Sequence, residues 1–209
     1  MYKAQVRATL LALFLPLFLS ATPILKNDLL KTEATDLIVK MGDELSQKVG
    51  INAYLIATNE HFKVGFNLVE YSKKYEQNMS KPYVLFIFAP FAAITQKSEV
   101  RGRVGIIPSS NEVRKLYNYD DVRDAAIDIV AVKDKNSDED KFNIGVLQGY
   151  SELADQIAQK KNIKLVHTIP NDTKAIIFYV KILVYFGSLF VLWIFILRPI
   201  IVRIKNGKK

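Results

Sequence analysis

The chain has 209 residues, 29 of them basic and 21 acidic, with a net charge of +8 and no cysteine. Length allows one ordinary domain plus appendages, and the missing cysteine excludes disulfides, iron–sulfur clusters, thiolate nucleophiles and Cys-type zinc sites. Residues 22–174 carry 21 basic side chains and all 21 acidic ones, so the middle is neutral and the excess flanks or lies in apolar runs; that pattern belongs to membrane topology and argues against a nucleic-acid groove.

The N-terminus runs from basic Lys3 and Arg7 into ATLLALFLPLFL and then Ser20-Ala21. A short apolar run between a basic start and small residues predicts a signal peptide over residues 1–21, with an uncleaved anchor as the alternative.

Leu30, Ala34, Leu37, Met41, Leu45 and Val49 recur every three or four residues. They predict a first helix, capped by Asn27 or Asp28 and closed by Gly50. INAYLIAT (51–58) reads as a strand. Val64, Leu68, Tyr71 and Tyr75 form a second helical stripe. PYVLFIFAP, opened by Pro82, is a continuous apolar run and predicts a central strand buried on both faces. VRGRVGII (100–107) predicts its neighbour, stopped by Pro108 and Ser109.

Residues 111–118 read as a turn or short helix, and Asp120 or Asp121 as the cap of a helix running to about Val132. The tract KDKNSDEDK (133–141) breaks that helix. Val146, Leu147, Tyr150, Leu153, Ala154 and Ile157 then mark an amphipathic helix. Residues 160–174 read as a juxtamembrane connector in which KLVHTI is a short extended piece.

AIIFYVKILVYFGSLFVLWIFIL (175–197) is 23 residues with one charge, Lys181. As a helix it extends about 34 Å, against a hydrocarbon core of about 30 Å. It predicts one transmembrane helix followed by a basic cytoplasmic tail, 198–209, with Arg198, Arg203, Lys205, Lys208 and Lys209. Alternating strands and helices predict an α/β domain, a central mixed sheet flanked by helices, over residues 22–159. Export by the signal peptide predicts that this domain lies outside the cytoplasm, in the periplasm, with the protein anchored in the inner membrane by its single span.

This order of elements, with INAYLIAT, KPYVLFIFAP, RVGIIP and FNIGVLQGYSELADQIA ahead of a membrane anchor, resembles the TPM-domain family over roughly residues 26–159. That family includes bacterial envelope proteins and thylakoid-lumen proteins linked to photosystem repair. The resemblance implies an assembly or binding role beside membrane complexes, with acid phosphatase activity or calcium binding as the alternatives; calcium or magnesium is the candidate cation, and no cofactor is required. Val104-Gly105-Ile106-Ile107-Pro108 stands where members carry a Gly-rich stretch, and Asp120 or Asp121 where they carry an acidic residue opening a helix.

The first candidates to ligate a divalent cation are Asp120, Asp121 and Asp124; Asp121, Asp124 and Asp128 share one helical face, and the alternative is a helix cap plus a solvated acidic face neutralised by Arg123 and Lys115. Asp134, Asn136 and Asp138 have the spacing of a calcium loop. Glu139 replaces its glycine and Gly145 its final glutamate, which favours a solvated loop. Arg101 and Arg103 are the only cations near the acidic helix suited to a phosphoryl group. Gly149-Tyr150-Ser151 lies within an amphipathic helix and lacks the second glycine of a nucleophile elbow. His61 and His167 give neither zinc spacing nor a triad order. The predicted partners are the bilayer and a membrane protein within it.

Overall fold

The computed structural model describes residues 22–93, 102–170 and 172–207. The expected signal peptide lies outside them. The chain forms two compact units that divide between Ile169 and Pro170.

The first unit is built on a four-stranded mixed sheet in the order β1-β2-β3-β4. β1 (Ile24–Asn27), β2 (Asn52–Ala57) and β3 (Tyr83–Ala89) run parallel, and β4 (Arg103–Pro108) pairs antiparallel with β3. α1 (Thr32–Val49) connects β1 to β2. α2 (Leu68–Ser72) and a 3₁₀ turn (Lys73–Asn78) connect β2 to β3. After β4 come α3 (Asn111–Arg114), α4 (Tyr119–Ala131) and α5 (Asp138–Lys160).

Strand alternation sorts the core into two layers. Ala53, Leu55, Val84, Phe86, Phe88, Val104 and Ile106 face Ile38, Met41 and Leu45 of α1, Val122 and Ala126 of α4, and Val146, Tyr150, Leu153 and Ile157 of α5. Tyr54, Ile56, Leu85 and Ile87 face Leu68, Tyr71 and Met79. All seven residues of β3 are buried, as a strand covered on both faces requires.

α4 and α5 approach closely because α5 presents glycine to its neighbour. A Cβ on Gly145 would lie 2.7 Å from the Ala126 carbonyl, and one on Gly149 would lie 2.7 Å from the Ala126 Cβ and the Phe86 ring. Tyr150, beside them and fully buried, donates its hydroxyl to the Ala53 carbonyl at 2.8 Å.

Several boundaries differ from the sequence reading. β1 had no strand signature, being a four-residue edge strand with no fully buried position. Asn27 does not cap α1 directly. Its side chain accepts from the Leu29 and Leu30 amides in an Asx turn that precedes the helix, while Asp28 accepts from Asn59 N. Gly50 ends α1 in the left-handed region, φ 74°, and its N–H reaches the Ser46 carbonyl. The cap of α4 is Asn118, which accepts from Asp120 N at 3.0 Å, so Asp120 and Asp121 lie in the first turn instead. Ser137 caps α5 from within the polar tract, and the helix begins at Asp138. The domain also runs past Gln159: Leu165 is buried, and the Ile169 amide donates to Ser151 Oγ at 2.7 Å. Residues 164–169 belong to no helix or strand and bend at 166–168.

The second unit is a helical rod: α6 (Asp172–Leu192), a π-helical segment (Trp193–Leu197) and α7 (Arg198–Asn206). Its stretch Ile182–Val202 has mean hydropathy 2.0 and none of it is buried within the protein. Among the described residues it is the one helix long and apolar enough to cross a membrane. Its 21 residues span about 31 Å. The Ser188 hydroxyl is satisfied inside the rod by the Val184 carbonyl, at 2.8 Å. Pro199 has no N–H to offer the Phe195 carbonyl, and the ladder widens there, with Arg198 N donating to Trp193 O.

Candidate functional site at the carboxyl end of the sheet

β1, β2 and β3 all end at one edge of the sheet, and β4 begins there. Clefts in open α/β sheets form outside such carboxyl ends. Here the edge carries a pocket of about 290 Å³, lined by the apolar side chains of Phe88, Phe91, Val104, Ile127, Val130 and Phe142 together with Pro90, Gly102, Arg103 and Asp138. Phe88 closes the end of β3, Phe91 follows in the loop, and Phe142 comes from the first turns of α5. The Phe91 and Phe142 rings meet edge to face, centroids 5.8 Å apart at 87°, and Phe88 and Phe142 are 6.1 Å apart at 58°.

Arg103 borders the pocket through its position on β4, but its guanidinium is committed to the Phe66 carbonyl. Alternation places it with Ile107 on the α2 side of the sheet, away from Val104. The charged group left at the rim on the α5 side is the Asp138 carboxylate.

The pocket wall is braced from the neighbouring loop. His61 stacks on Phe91, centroids 4.5 Å apart at 17°. The loop carrying His61 is held by an ionic cluster over the ends of β1 and β2. Lys26 bridges Asp28, at 3.1 Å, and Glu60. Tyr71 donates its hydroxyl to Glu60 at 2.7 Å, and Lys74 lies 3.8 Å above the Tyr71 ring. The Lys26 ammonium and the Tyr71 hydroxyl hold the Glu60 carboxyl below the usual carboxylate range. Burial and the adjacent Glu60 push the Tyr71 phenol up. Both groups keep their ordinary neutral-pH forms, which suits a structural clasp and gives no proton donor or acceptor poised near pH 7.

The expected metal ligands lie elsewhere, on the exposed start of α4. Arg123 pairs with Asp120 at 2.7 Å and forks onto Asp124, with Nη2 at 2.7 Å and Nε at 2.9 Å. Asp121 faces Gln156, whose Nε2 lies 3.5 Å away. Asp128 is exposed on the same helix. Arg123 thus supplies the neutralising cation for two of the three carboxylates. In the 134–140 loop Asp134 accepts from Asn136 N at 3.0 Å and Lys141 Nζ at 3.2 Å, and Asp140 accepts from Ser137 Oγ and Lys31. Among the described residues no group of three or more His, Asp or Glu side chains is placed to hold a metal ion. Ser151 is fully buried inside α5, His167 lies in the last segment of the domain against Glu44, and Arg101 lies outside the described residues.

The three phenylalanines and Asp138 were not assembled by sequence reasoning. The available signal was the aromatic close of the central strand, Phe86 to Phe91, where a buried strand leaves the core still apolar. No family model, no curated protein and no solved structure matches the chain.

Proposed function

We propose that this protein is a membrane-anchored binding module: an extracytoplasmic α/β domain held at the bilayer by its C-terminal helix, acting on membrane complexes through the pocket at its sheet edge. The observation that carries the reading is the pairing of a compact α/β unit with a separate helix whose apolar side chains are exposed along Ile182–Val202. Such a surface is stable only against lipid or another apolar partner. The basic n-region and apolar run at the N-terminus support export of the domain. The basic residues from Arg198 onward support a cytoplasmic tail. The element order supports kinship with TPM domains. Anchoring confines the domain to a thin layer beside the membrane and raises its effective concentration toward partners there.

The pocket favours binding over turnover. Its walls are mostly apolar, and Arg123 occupies two carboxylates that a metal-assisted phosphatase would use on α4. The deciding experiment is crosslinking of the full chain in native membranes, run beside an assay of phosphate release from p-nitrophenyl phosphate with magnesium or calcium. The module reading expects a discrete membrane-protein adduct and no turnover. Metal-dependent turnover that disappears in Asp121→Ala would replace it with the phosphatase reading.

A further inference from the structure

The pocket at the sheet edge has the make-up of a cation site. Its volume, about 290 Å³, is roughly twice that of an engineered cavity that admits benzene. Phe88, Phe91 and Phe142 give it three ring walls in non-parallel orientations, with interplanar angles of 58° and 87° between contacting pairs. Aromatic faces are electron-rich, and several rings around one space form the environment that alkylated ammonium ions seek.

The charge at the rim has the same preference. Asp138 borders the pocket, and among the described residues it has no ion-pair partner. Two lysines of this region are paired with other acids, Lys31 with Asp140 and Lys141 with Asp134. A helix start by itself favours anions, but the first turn of α5 carries Asp138, Glu139 and Asp140, and an anion would meet them. Among the described residues lining the pocket, the one cation is Arg103, whose guanidinium donates to the Phe66 carbonyl.

We propose that this pocket binds an alkylammonium group, its methyl or methylene carbons against Phe88, Phe91 and Phe142 and its charge balanced by Asp138. The proposal rests on the reading of the pocket as the domain's binding site and names the ligand chemistry. That chemistry occurs in phospholipid headgroups and in free quaternary amines.

The test uses the full chain in maltoside micelles with labelled Val and Ile methyl groups, titrated with choline chloride and with its neutral isostere, 3,3-dimethyl-1-butanol. Saturable shifts are expected at Val104, Ile127 and Val130, with choline binding at least ~10-fold tighter than the alcohol. Asp138→Asn and Phe142→Leu should each weaken choline by ~3–10-fold, and Asp138→Asn should leave the alcohol within ~2-fold. Asp138 is exposed, so its variant carries the test if Phe142→Leu fails to fold. Equal affinity for the two ligands, no saturable shift, or indifference to Asp138→Asn overturns the proposal.

A second arm compares nanodiscs of phosphatidylglycerol with nanodiscs that also contain phosphatidylcholine. Shifts in the latter without added choline assign the group to a lipid headgroup; shifts only on adding choline assign it to a free amine. If no arm gives pocket shifts the ligand assignment falls, while membrane anchoring is judged separately by side-specific labelling.

Discussion

The carboxylate of Glu44 on α1 holds His167, 123 residues later in the chain, through both its backbone amide at 3.0 Å and its ring Nδ1 at 2.9 Å. The same carboxylate accepts from Val166 N at 2.8 Å and from Lys48 Nζ at 2.6 Å. It is 8% exposed. This contact fastens the last segment of the domain before the chain enters the helical rod.

Burial alone would raise the Glu44 carboxyl, but Lys48, His167 and Val166 together draw it down from 4.5 to about 2. A depressed carboxylate stabilises the fold above its unfolded value, and that contribution is lost as pH falls through about 2. Glu44→Ala should therefore cost about 3 kcal/mol near pH 7. The difference from wild type should shrink as pH falls from about 4.5 toward 2, leaving the pH-independent cost of the acceptor lost to the Val166 and His167 amides. Urea unfolding of both proteins followed by near-UV circular dichroism checks this; an equal difference at both pH values would contradict it.

Gly149→Ala should destabilise the domain by about 1–3 kcal/mol, the usual cost of overpacking. The new methyl would meet the Ala126 Cβ at 2.7 Å, and that atom is fixed to the backbone of α4. Adding Ala126→Gly should recover part of the loss despite its own helix penalty. Thermal midpoints of the single and double variants decide it, and additive losses would show that the contact is not limiting.

Tyr150→Phe removes the donor to the Ala53 carbonyl while leaving the ring in the core. A loss of about 1 kcal/mol is expected, typical of one buried neutral hydrogen bond. A neutral outcome in the same unfolding assay would mean that the carbonyl finds another donor.

Pro199→Ala restores an N–H where the rod widens. The residue-199 amide should then bond the Phe195 carbonyl, and Arg198 N should leave Trp193 O. Removal of the extra residue in the ladder turns the two halves of the rod by about 100°. Amide exchange in micelles reads the change, with residue 199 becoming protected; an unprotected amide would mean that proline does not cause the π segment.

The sheet was legible because the central strands are strong signals. A run as apolar as Tyr83–Ala89 has one home, between two covered faces. The helices were legible by period, and Gly50 by its stop. What failed was local competition among polar residues. Asn27, Asp28, Asn118, Asp120 and Asp121 are all good caps, and tertiary geometry chose among them. β1 escaped because it is short and lies at an edge. The acidic face of α4 was read as ligands, yet Arg123, one residue from Asp124, could satisfy two of its carboxylates from the same helix. The pocket was not legible, since Phe91, Asp138 and Phe142 meet only after the sheet and α5 are in place.

The most direct test of the anchored-domain account uses the absence of cysteine in the chain. Lys160→Cys on the domain and Asn206→Cys at the end of the rod both lie at exposed positions. Each is treated in intact cells, with the outer envelope opened, using a membrane-impermeant maleimide. The account predicts that Lys160→Cys is labelled at once and Asn206→Cys only after the inner membrane is permeabilised. Labelling of both from the same side, or release of the protein by alkaline carbonate, would contradict it.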